Sequence, residues 1–215
     1  MIAGAPSRPR VRARRNRAPV IQIALALALG ACAQPPSATE PRAPGEKAEP
    51  AARSFTPPPG VVLETTCVST GPELCFDGID NNCNGLLEEG CGVQSGVLQI
   101  VAAWSEEAAD VDLLVTDPAG ETAKMGGVTA AGLAKDKDCP GSDRRCRGQN
   151  LENVFLEQEA ELAKGTYRVV VRLEKSNGAP LPVKVRIGAR VGPRVYGFWV
   201  ELAAQEDEKT FSFTL

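Results

Sequence analysis

Oxygen-bearing side chains alternate along one short loop at the spacing of a cation site. The alternating residues are Asp80, Asn82 and Asn84, and Gly85 follows them directly. With Asp80 as position 1, they occupy positions 1, 3, 5 and 6 of the calcium-loop pattern D-x-[DN]-x-[DN]-G. Alternation points the oxygens at one centre, the glycine permits a sharp turn, and the carbonyl of Leu86 becomes the position-7 ligand. The loop therefore predicts a calcium site.

The later part of this loop departs from the EF-hand pattern. Glu88 falls at position 9 and is a further candidate ligand, but position 12, normally a bidentate Glu, is Cys91. Two asparagines among the early ligands lower the ligand charge, so we expect a weak site with a dissociation constant of roughly 10⁻⁴ to 10⁻³ M. The alternative is an Asn/Gly-rich turn held only by disulfides.

The same stretch resembles the MopE-type metal-binding repeat, whose usual form is close to C-D-G-x-D-N-D-C-D-G-x-x-D-E-G-C. The positions in register are Gly78, Asp80, Asn81, Cys83, Gly85, Glu89, Gly90 and Cys91. Asn82, Asn84 and Glu88 replace three of the usual aspartates. The resemblance implies metal binding, with Asp77 and Glu89 as additional candidate ligands.

A second acidic group lies further along the chain. Asp110 and Asp112 are two residues apart, so they share one face of a predicted strand whose other face carries Val111 and Leu113. Two carboxylates on one face repel each other unless a cation or a basic partner joins them. This pair is therefore a second candidate cation site.

This region resembles the YfaP-like β-sandwich domains of bacteria. The matching segments are Trp104, Asp110-Val-Asp112-Leu, Asp117-Pro-x-Gly120, the stretch from Asp136 to Asp138, Glu152-Asn-Val154 and Gly165-Thr-Tyr167-x-Val. The resemblance implies a jelly-roll-like sandwich with bound calcium. The resemblance further implies that five acidic residues are candidate calcium ligands, namely Asp110, Asp112, Asp136, Asp138 and Glu152. The alternative is a solvated strand face beside a solvated loop.

The N-terminal segment predicts export and a lipid anchor. Six arginines precede a short apolar run over residues 20–29, which is too short to cross a bilayer but suits a secretory signal. The sequence Leu29-Gly30-Ala31-Cys32 resembles a bacterial lipobox, which implies cleavage before Cys32 and lipidation of that cysteine. An ordinary signal peptide with a chance cysteine is the alternative. We expect a protein tied to the cell envelope through Cys32, and by analogy with known sorting rules the residue after it, Ala33, favours the outer membrane.

Six cysteines remain once Cys32 carries lipid, and in an oxidising compartment this even number predicts three disulfides. Cys139 and Cys146 are expected to pair with each other. The other four lie eight residues apart and are Cys67, Cys75, Cys83 and Cys91. Four cysteines allow three connectivities. We favour the local one, Cys67–Cys75 with Cys83–Cys91, because it leaves the Asp80 loop projecting between the bridges.

Composition narrows the chemistry that the chain can perform. It contains no histidine, which excludes Ser-His-Asp and Cys-His triads and zinc sites built on His. Removing the leader with its six arginines leaves 18 of the 24 basic residues against 27 acidic ones, a net charge of −9, so no nucleic-acid partner is expected. We predict a non-enzyme. The rival hypothesis is a carboxylate-based hydrolase that uses a pair such as Asp110 and Asp138.

Four segments are expected along the chain. They are a signal peptide over residues 1–31, a Pro-rich disordered tether over 32–60, a Cys-rich metal-binding motif over 61–92 and an antiparallel β-sandwich over 93–215. Alternation at a period of 2 predicts strands over residues 166–173, 181–187 and 210–215, and further candidate strands cover residues 97–104, 111–116, 153–158 and 195–202. A weak helical signal covers residues 153–164. The expected fold class is mainly β.

The expected function is binding or surface structure at the cell envelope. The preferred interpretation is a calcium-binding lipoprotein that presents its sandwich to an envelope or surface partner that the sequence does not identify. A carbohydrate- or peptide-binding module is the alternative. Trp104, Tyr167, Phe198 and Trp199 are expected to pack in the core or at its edge rather than to form a sugar-stacking platform.

Overall fold

A computed structural model of the chain describes residues 54–140, 146–158 and 162–215. The predicted signal peptide, the lipidation site at Cys32 and the predicted tether as far as residue 53 lie outside the described residues. The described residues form strands and connecting turns, and they include no helix of the length and apolar character needed to cross a membrane.

Nine strands make up the described fold. They are β1 (Ser54–Thr56), β2 (Leu98–Trp104), β3 (Asp110–Thr116), β4 (Ala134–Lys137), β5 (Leu151–Leu156), β6 (Thr166–Lys175), β7 (Val183–Val191), β8 (Arg194–Leu202) and β9 (Glu208–Thr214). Each of the seven predicted strands overlaps one of these. The prediction of a tether up to residue 60 is wrong for β1, because this short strand pairs with β9.

The strands pair into two antiparallel sheets, which confirms the predicted sandwich. One sheet has the order β1-β9-β6-β3 and the other has the order β4-β5-β2-β7-β8. In β3, Val111, Leu113 and Val115 are buried, whereas Asp110 and Asp112 lie half-buried on the opposite face. This is the alternation that a period of 2 predicts. Side chains from both sheets form one hydrophobic core.

The cysteine-rich segment, residues 61–92, lies against the five-stranded sheet. All seven residues of β2 are buried. Ile100 belongs to the core between the sheets, while Val101 and Ala103 pack with Leu87 of the cysteine-rich segment in a second cluster. A strand buried on both faces is mostly apolar instead of alternating, and β2 has this pattern in the sequence, with Gln99 as its polar exception. The segment is thus a third layer on the sandwich.

Three of the four aromatic residues expected to pack do so. Trp104, Tyr167 and Phe198 are buried. Trp199 differs, because its position in β8 alternates with the buried Phe198 and Val200 and places it on the outer face of the sheet, where it is 51% exposed.

The helical prediction over residues 153–164 is wrong in its first part, because residues up to 156 belong to β5. This strand pairs with β2 on one side and with β4 on the other, and Val154 and Leu156 are part of the core. Ladder hydrogen bonds on both sides satisfy the backbone, and they override the helix propensity of the local Glu and Leu residues.

The favoured disulfide pairing in the cysteine-rich segment is also wrong. The bridges are Cys67–Cys83 and Cys75–Cys91, each spanning 16 residues. The amide of Thr70 donates to the carbonyl of Asn81 over 2.9 Å, which brings the stretches around Cys67 and Cys83 together. The predicted bridge Cys139–Cys146 is confirmed.

Candidate functional site

Two carboxylates, the buried Glu88 and the half-buried Glu73, organise the cysteine-rich segment. Glu88 is fully buried, and its side-chain oxygens accept hydrogen bonds from the amides of Phe76, Asp77 (2.9 Å) and Gly78 (2.7 Å). Glu73 accepts from the amides of Asn81 (3.0 Å) and Glu88 (2.9 Å). Burial raises the pKa of both carboxyls. Glu88, predicted as a position-9 ligand, instead holds residues 76–78 against the stretch that carries Cys91.

The side-chain oxygens of the Asp80 loop are wrapped by the backbone that follows them. Asp80 is buried and accepts from the amides of Asn84 (Oδ1, 3.1 Å) and Gly85 (Oδ2, 2.8 Å). Asn82 Oδ1 accepts from the amide of Asn84 (3.0 Å), and Asn84 Oδ1 accepts from that of Leu86 (2.9 Å). Gly85 has a φ of +87°, the left-handed conformation that its position 6 requires. The loop therefore turns around its own oxygens.

A second carboxylate lies beside this loop. Glu89 Oε1 accepts from Asn82 Nδ2 over 2.7 Å. Asp77 has a supporting position instead, because its two oxygens accept from the amide of Ile79 (2.9 Å) and from Asn81 Nδ2 (3.2 Å). The side chains at the loop offer carboxylate and amide oxygens, which are the type of donor that Ca²⁺ prefers.

Three of the predicted ligands in the sandwich come together in space. Carboxylate oxygens of Asp112, Asp138 and Glu152 all lie within 4.8 Å of one another. Asp112 lies on β3, Glu152 on β5, and Asp138 directly after β4. Glu152 is buried and also accepts from the amide of Leu113 on β3, so one side chain connects the two sheets.

A lysine that sequence reasoning overlooked lies inside this cluster. The Nζ of Lys135 is 2.6 Å from Asp138 Oδ1 and 2.8 Å from Glu152 Oε2, and its side chain is 7% exposed. Burial raises the pKa of Glu152 well above its usual range, although Lys135 opposes the shift. Burial also acts to raise the pKa of Asp138, but its hydrogen bonds with Glu152 and Lys135 outweigh this and leave that pKa lowered. An internal ammonium thus supplies the cation that two of the three carboxylates need.

Asp112 and the two remaining predicted ligands of the sandwich, Asp110 and Asp136, have basic or polar partners. Asp112 pairs with Arg172 at 3.0 Å and Asp110 with Lys175 at 3.8 Å. Burial, followed by the neighbouring charge of Asp112, raises the pKa of Asp110. Asp136 is not oriented towards a shared ion, because its oxygens accept from the amide of Gln94 (2.8 Å) and from Asn153 Nδ2 (2.6 Å).

The sequence contained a signal for Lys135. Leu133 and Lys135 alternate with Ala134 and Asp136, and both of the alternating residues are buried. Strand alternation therefore places the lysine on an inward face. Its charge, which favours a position in solvent, argued against that assignment, but Glu152 on the neighbouring strand β5 provides the partner that permits burial.

Comparisons of the chain with protein-family models, with curated proteins and with solved structures return no match. A function for this protein therefore has to be argued from the geometry of its own residues.

Proposed function

We propose that this protein is a non-catalytic, lipid-anchored protein of the cell envelope whose cysteine-rich segment binds calcium. The lipobox-like sequence at Cys32 supports the anchor. The three disulfides of the fold support an oxidising compartment. In this account the sandwich is a rigid platform at the outer membrane that presents the segment to a partner in the envelope or at the surface.

The Asp80 loop is the calcium site in this proposal. The observation that carries it is the turn of the backbone around three oxygen-bearing side chains: Asp80, Asn82 and Asn84 each accept a backbone amide that follows them, and Glu89 accepts from Asn82 Nδ2. Asp80 and Glu89 together supply two negative charges for a divalent ion. The side-chain oxygens and the carbonyl of Leu86 supply the neutral ligands that calcium sites commonly include.

The cluster of Asp112, Asp138 and Glu152 is the weaker candidate. An ion there has to displace or share the ammonium of Lys135, which already contacts two of the carboxylates. The third carboxylate, Asp112, is paired with Arg172. We therefore assign this cluster to stabilisation of the sandwich and place calcium in the cysteine-rich segment.

Isothermal titration of the full chain with CaCl₂ tests the assignment. We expect one site with a dissociation constant of roughly 10⁻⁴ to 10⁻³ M, weaker binding of Mg²⁺, and loss of binding in Asp80→Ala. Glu107→Gln is the matched control, because Glu107 is an exposed acid in a turn outside the segment. Binding that survives Asp80→Ala but disappears in Asp138→Asn would move the site to the sandwich and contradict the proposal.

The anchor is tested separately from calcium. Cells that express the chain with labelled palmitate are expected to incorporate the label, and Cys32→Ser is expected to abolish incorporation and to release the protein from the membrane fraction. Cys139→Ser is the control cysteine, since its expected partner is Cys146 and it lies outside the leader. An unlabelled wild-type protein would contradict the anchor while leaving the calcium site to be judged by calorimetry.

A further inference from the structure

A cleft of about 290 Å³ lies between the cysteine-rich segment and β8. The lining residues that matter for its chemistry are Glu64, Thr66, Val68, Asp80, Arg186 and Trp199. A second cleft of about 460 Å³ adjoins it and shares Glu64 and Trp199 with the first. Trp199 therefore lines both open clefts. The proposed calcium site uses Asp80 at the edge of the first cleft but assigns no role to Trp199.

Trp199 is the one large aromatic side chain that is prominently exposed among the residues that the structure describes, at 51%. Arg186, its register partner on β7, places its guanidinium carbon 5.7 Å from the centroid of the indole. This contact is a cation–π arrangement that fixes the orientation of the ring. A flat apolar surface that is held in place and left open to solvent is suited to stacking against a ligand.

The polar rim of the cleft is also fixed before any ligand arrives. Arg186 is buried and donates through Nη1 and Nη2 to the two oxygens of Glu64, over 2.8 and 2.7 Å. Gly197 makes room for this pair, because a Cβ there would lie 2.1 Å from Nη2 of the arginine. The hydrogen bond from Arg186 lowers the pKa of Glu64. The exposed edge of that carboxylate remains an ionised acceptor for hydroxyl donors.

The charges around the cleft favour a neutral ligand. Among the described lining residues of the first cleft, Arg186 is the cation, and Glu64 already neutralises it. Both oxygens of Asp80 accept backbone amides. An anionic ligand thus finds no free positive partner among these residues. A purely apolar ligand would remove water from the exposed edge of the Glu64 carboxylate and supply no donor in its place, which is costly.

We propose that the two clefts around Trp199 bind a neutral saccharide chain. One pyranose ring stacks its C–H face on the indole, and its hydroxyls donate to the exposed carboxylate of Glu64. Neighbouring sugar units extend into the clefts on either side. This proposal does not rest on the calcium site, although Asp80 lines the first cleft.

The test titrates the full chain with four neutral hexasaccharides, built from glucose, mannose, xylose or N-acetylglucosamine, in buffer that contains chelator. Isothermal titration calorimetry measures the affinity of every variant, and intrinsic fluorescence reports in addition on Trp199 in Trp104→Phe, because the chain has two tryptophans. We expect at least one of the four sugars to bind saturably, and Trp199→Ala to weaken that binding by at least about tenfold, or 1.4 kcal/mol. Leu181→Ala is the control, since Leu181 is a comparably exposed apolar residue at 49% and does not line either cleft.

A second variant keeps the test decisive if Trp199→Ala fails to fold. Thr66→Arg fills the first cleft from its exposed wall and leaves β8 unchanged, and it is expected to weaken binding by a similar factor. Absence of binding to all four sugars would overturn the proposal, as would binding that neither variant affects. A synthetic peptide of the Pro-rich stretch, residues 33–52, is titrated in parallel. Binding of this peptide in place of every sugar would also overturn the proposal.

Discussion

Replacing Lys135 with methionine removes the positive charge that lies between Asp138 and Glu152. Methionine keeps most of the length and volume of the lysine side chain, so the change isolates the charge. In Lys135→Met, Glu152, which is 1% exposed, keeps the hydrogen bond from the amide of Leu113 but loses its cationic partner. Removing one partner of a buried ion pair typically costs about 3–5 kcal/mol. We expect a loss of unfolding free energy of about this size at pH 8.

The loss should depend on pH in a defined direction. The pKa of Glu152 is raised by burial, and Lys135 limits the rise, so the pKa is expected to rise further in the variant. A carboxyl with a raised folded pKa favours the folded state below its unfolded pKa, and this contribution is lost as the pH increases through the folded pKa. The deficit of the variant should therefore be smaller at pH 5 than at pH 8, by about 1.4 kcal/mol for each unit of additional pKa shift.

Urea unfolding of the full chain at pH 5 and pH 8, with disulfides intact, measures this difference. Lys184→Met is the control, because Lys184 is exposed and pairs with the exposed Glu201 at 3.5 Å. Such surface pairs contribute at most about 1 kcal/mol. A loss below about 1 kcal/mol for Lys135→Met at pH 8, or an equal loss at both pH values, would refute the assignment of Lys135 as the internal cation.

Three other substitutions probe the cysteine-rich layer, each by urea unfolding against wild type. Gly188→Ala places a Cβ 2.5 Å from the backbone oxygen of Gly78, and we expect a loss of about 1–3 kcal/mol from overpacking. Changing Cys75 and Cys91 together to serine removes a bridge that spans 16 residues, and we expect the unfolding free energy to fall by about 3 kcal/mol. A peptide map of the wild-type protein under non-reducing conditions that shows Cys75 bonded to another cysteine would contradict the pairing. Glu88→Leu leaves three backbone amides without their acceptor, and we expect the unfolding free energy to fall by about 1–3 kcal/mol for each amide that stays buried. A loss of unfolding free energy below about 1 kcal/mol would contradict the structural role of Glu88.

Strand alternation made much of the sandwich predictable, because strands such as β3 face the core on one side and more polar surroundings on the other. Tyr167 and Val169 in β6 follow this rule. β2 was predictable for a different reason, since its apolar run from Ile100 to Trp104 is typical of burial on both faces. The outer face of β2 is covered by the cysteine-rich segment, and this depends on the long-range packing of Leu87, which no local sequence pattern indicates.

The candidate site was less accessible to sequence reasoning. Spacing predicted a turn built on Asp80, Asn82 and Asn84, whose oxygens accept the backbone amides that follow them, and their role as calcium ligands stays a prediction. The same counting misassigned Glu88, because its carboxylate oxygens accept hydrogen bonds from the backbone amides of residues 76–78. The favoured local disulfide pairing was wrong because the bridges join stretches that the fold brings together, and the even spacing of the four cysteines does not record this. The role of Lys135 depends on Glu152 from another strand, a contact that only the fold reveals.

Thermal unfolding of the full chain in 5 mM calcium and in chelator tests the central claim most directly. For an ion that binds only the folded state with a dissociation constant of about 0.5 mM, the expected stabilisation is about 1.4 kcal/mol. For a chain of this size, that raises the melting temperature by about 3–6 °C. The account predicts this rise in wild type and in Glu107→Gln, and its loss in Asp80→Ala. A melting temperature that calcium leaves unchanged in wild type, or raises equally in Asp80→Ala, would contradict a calcium site in the cysteine-rich segment.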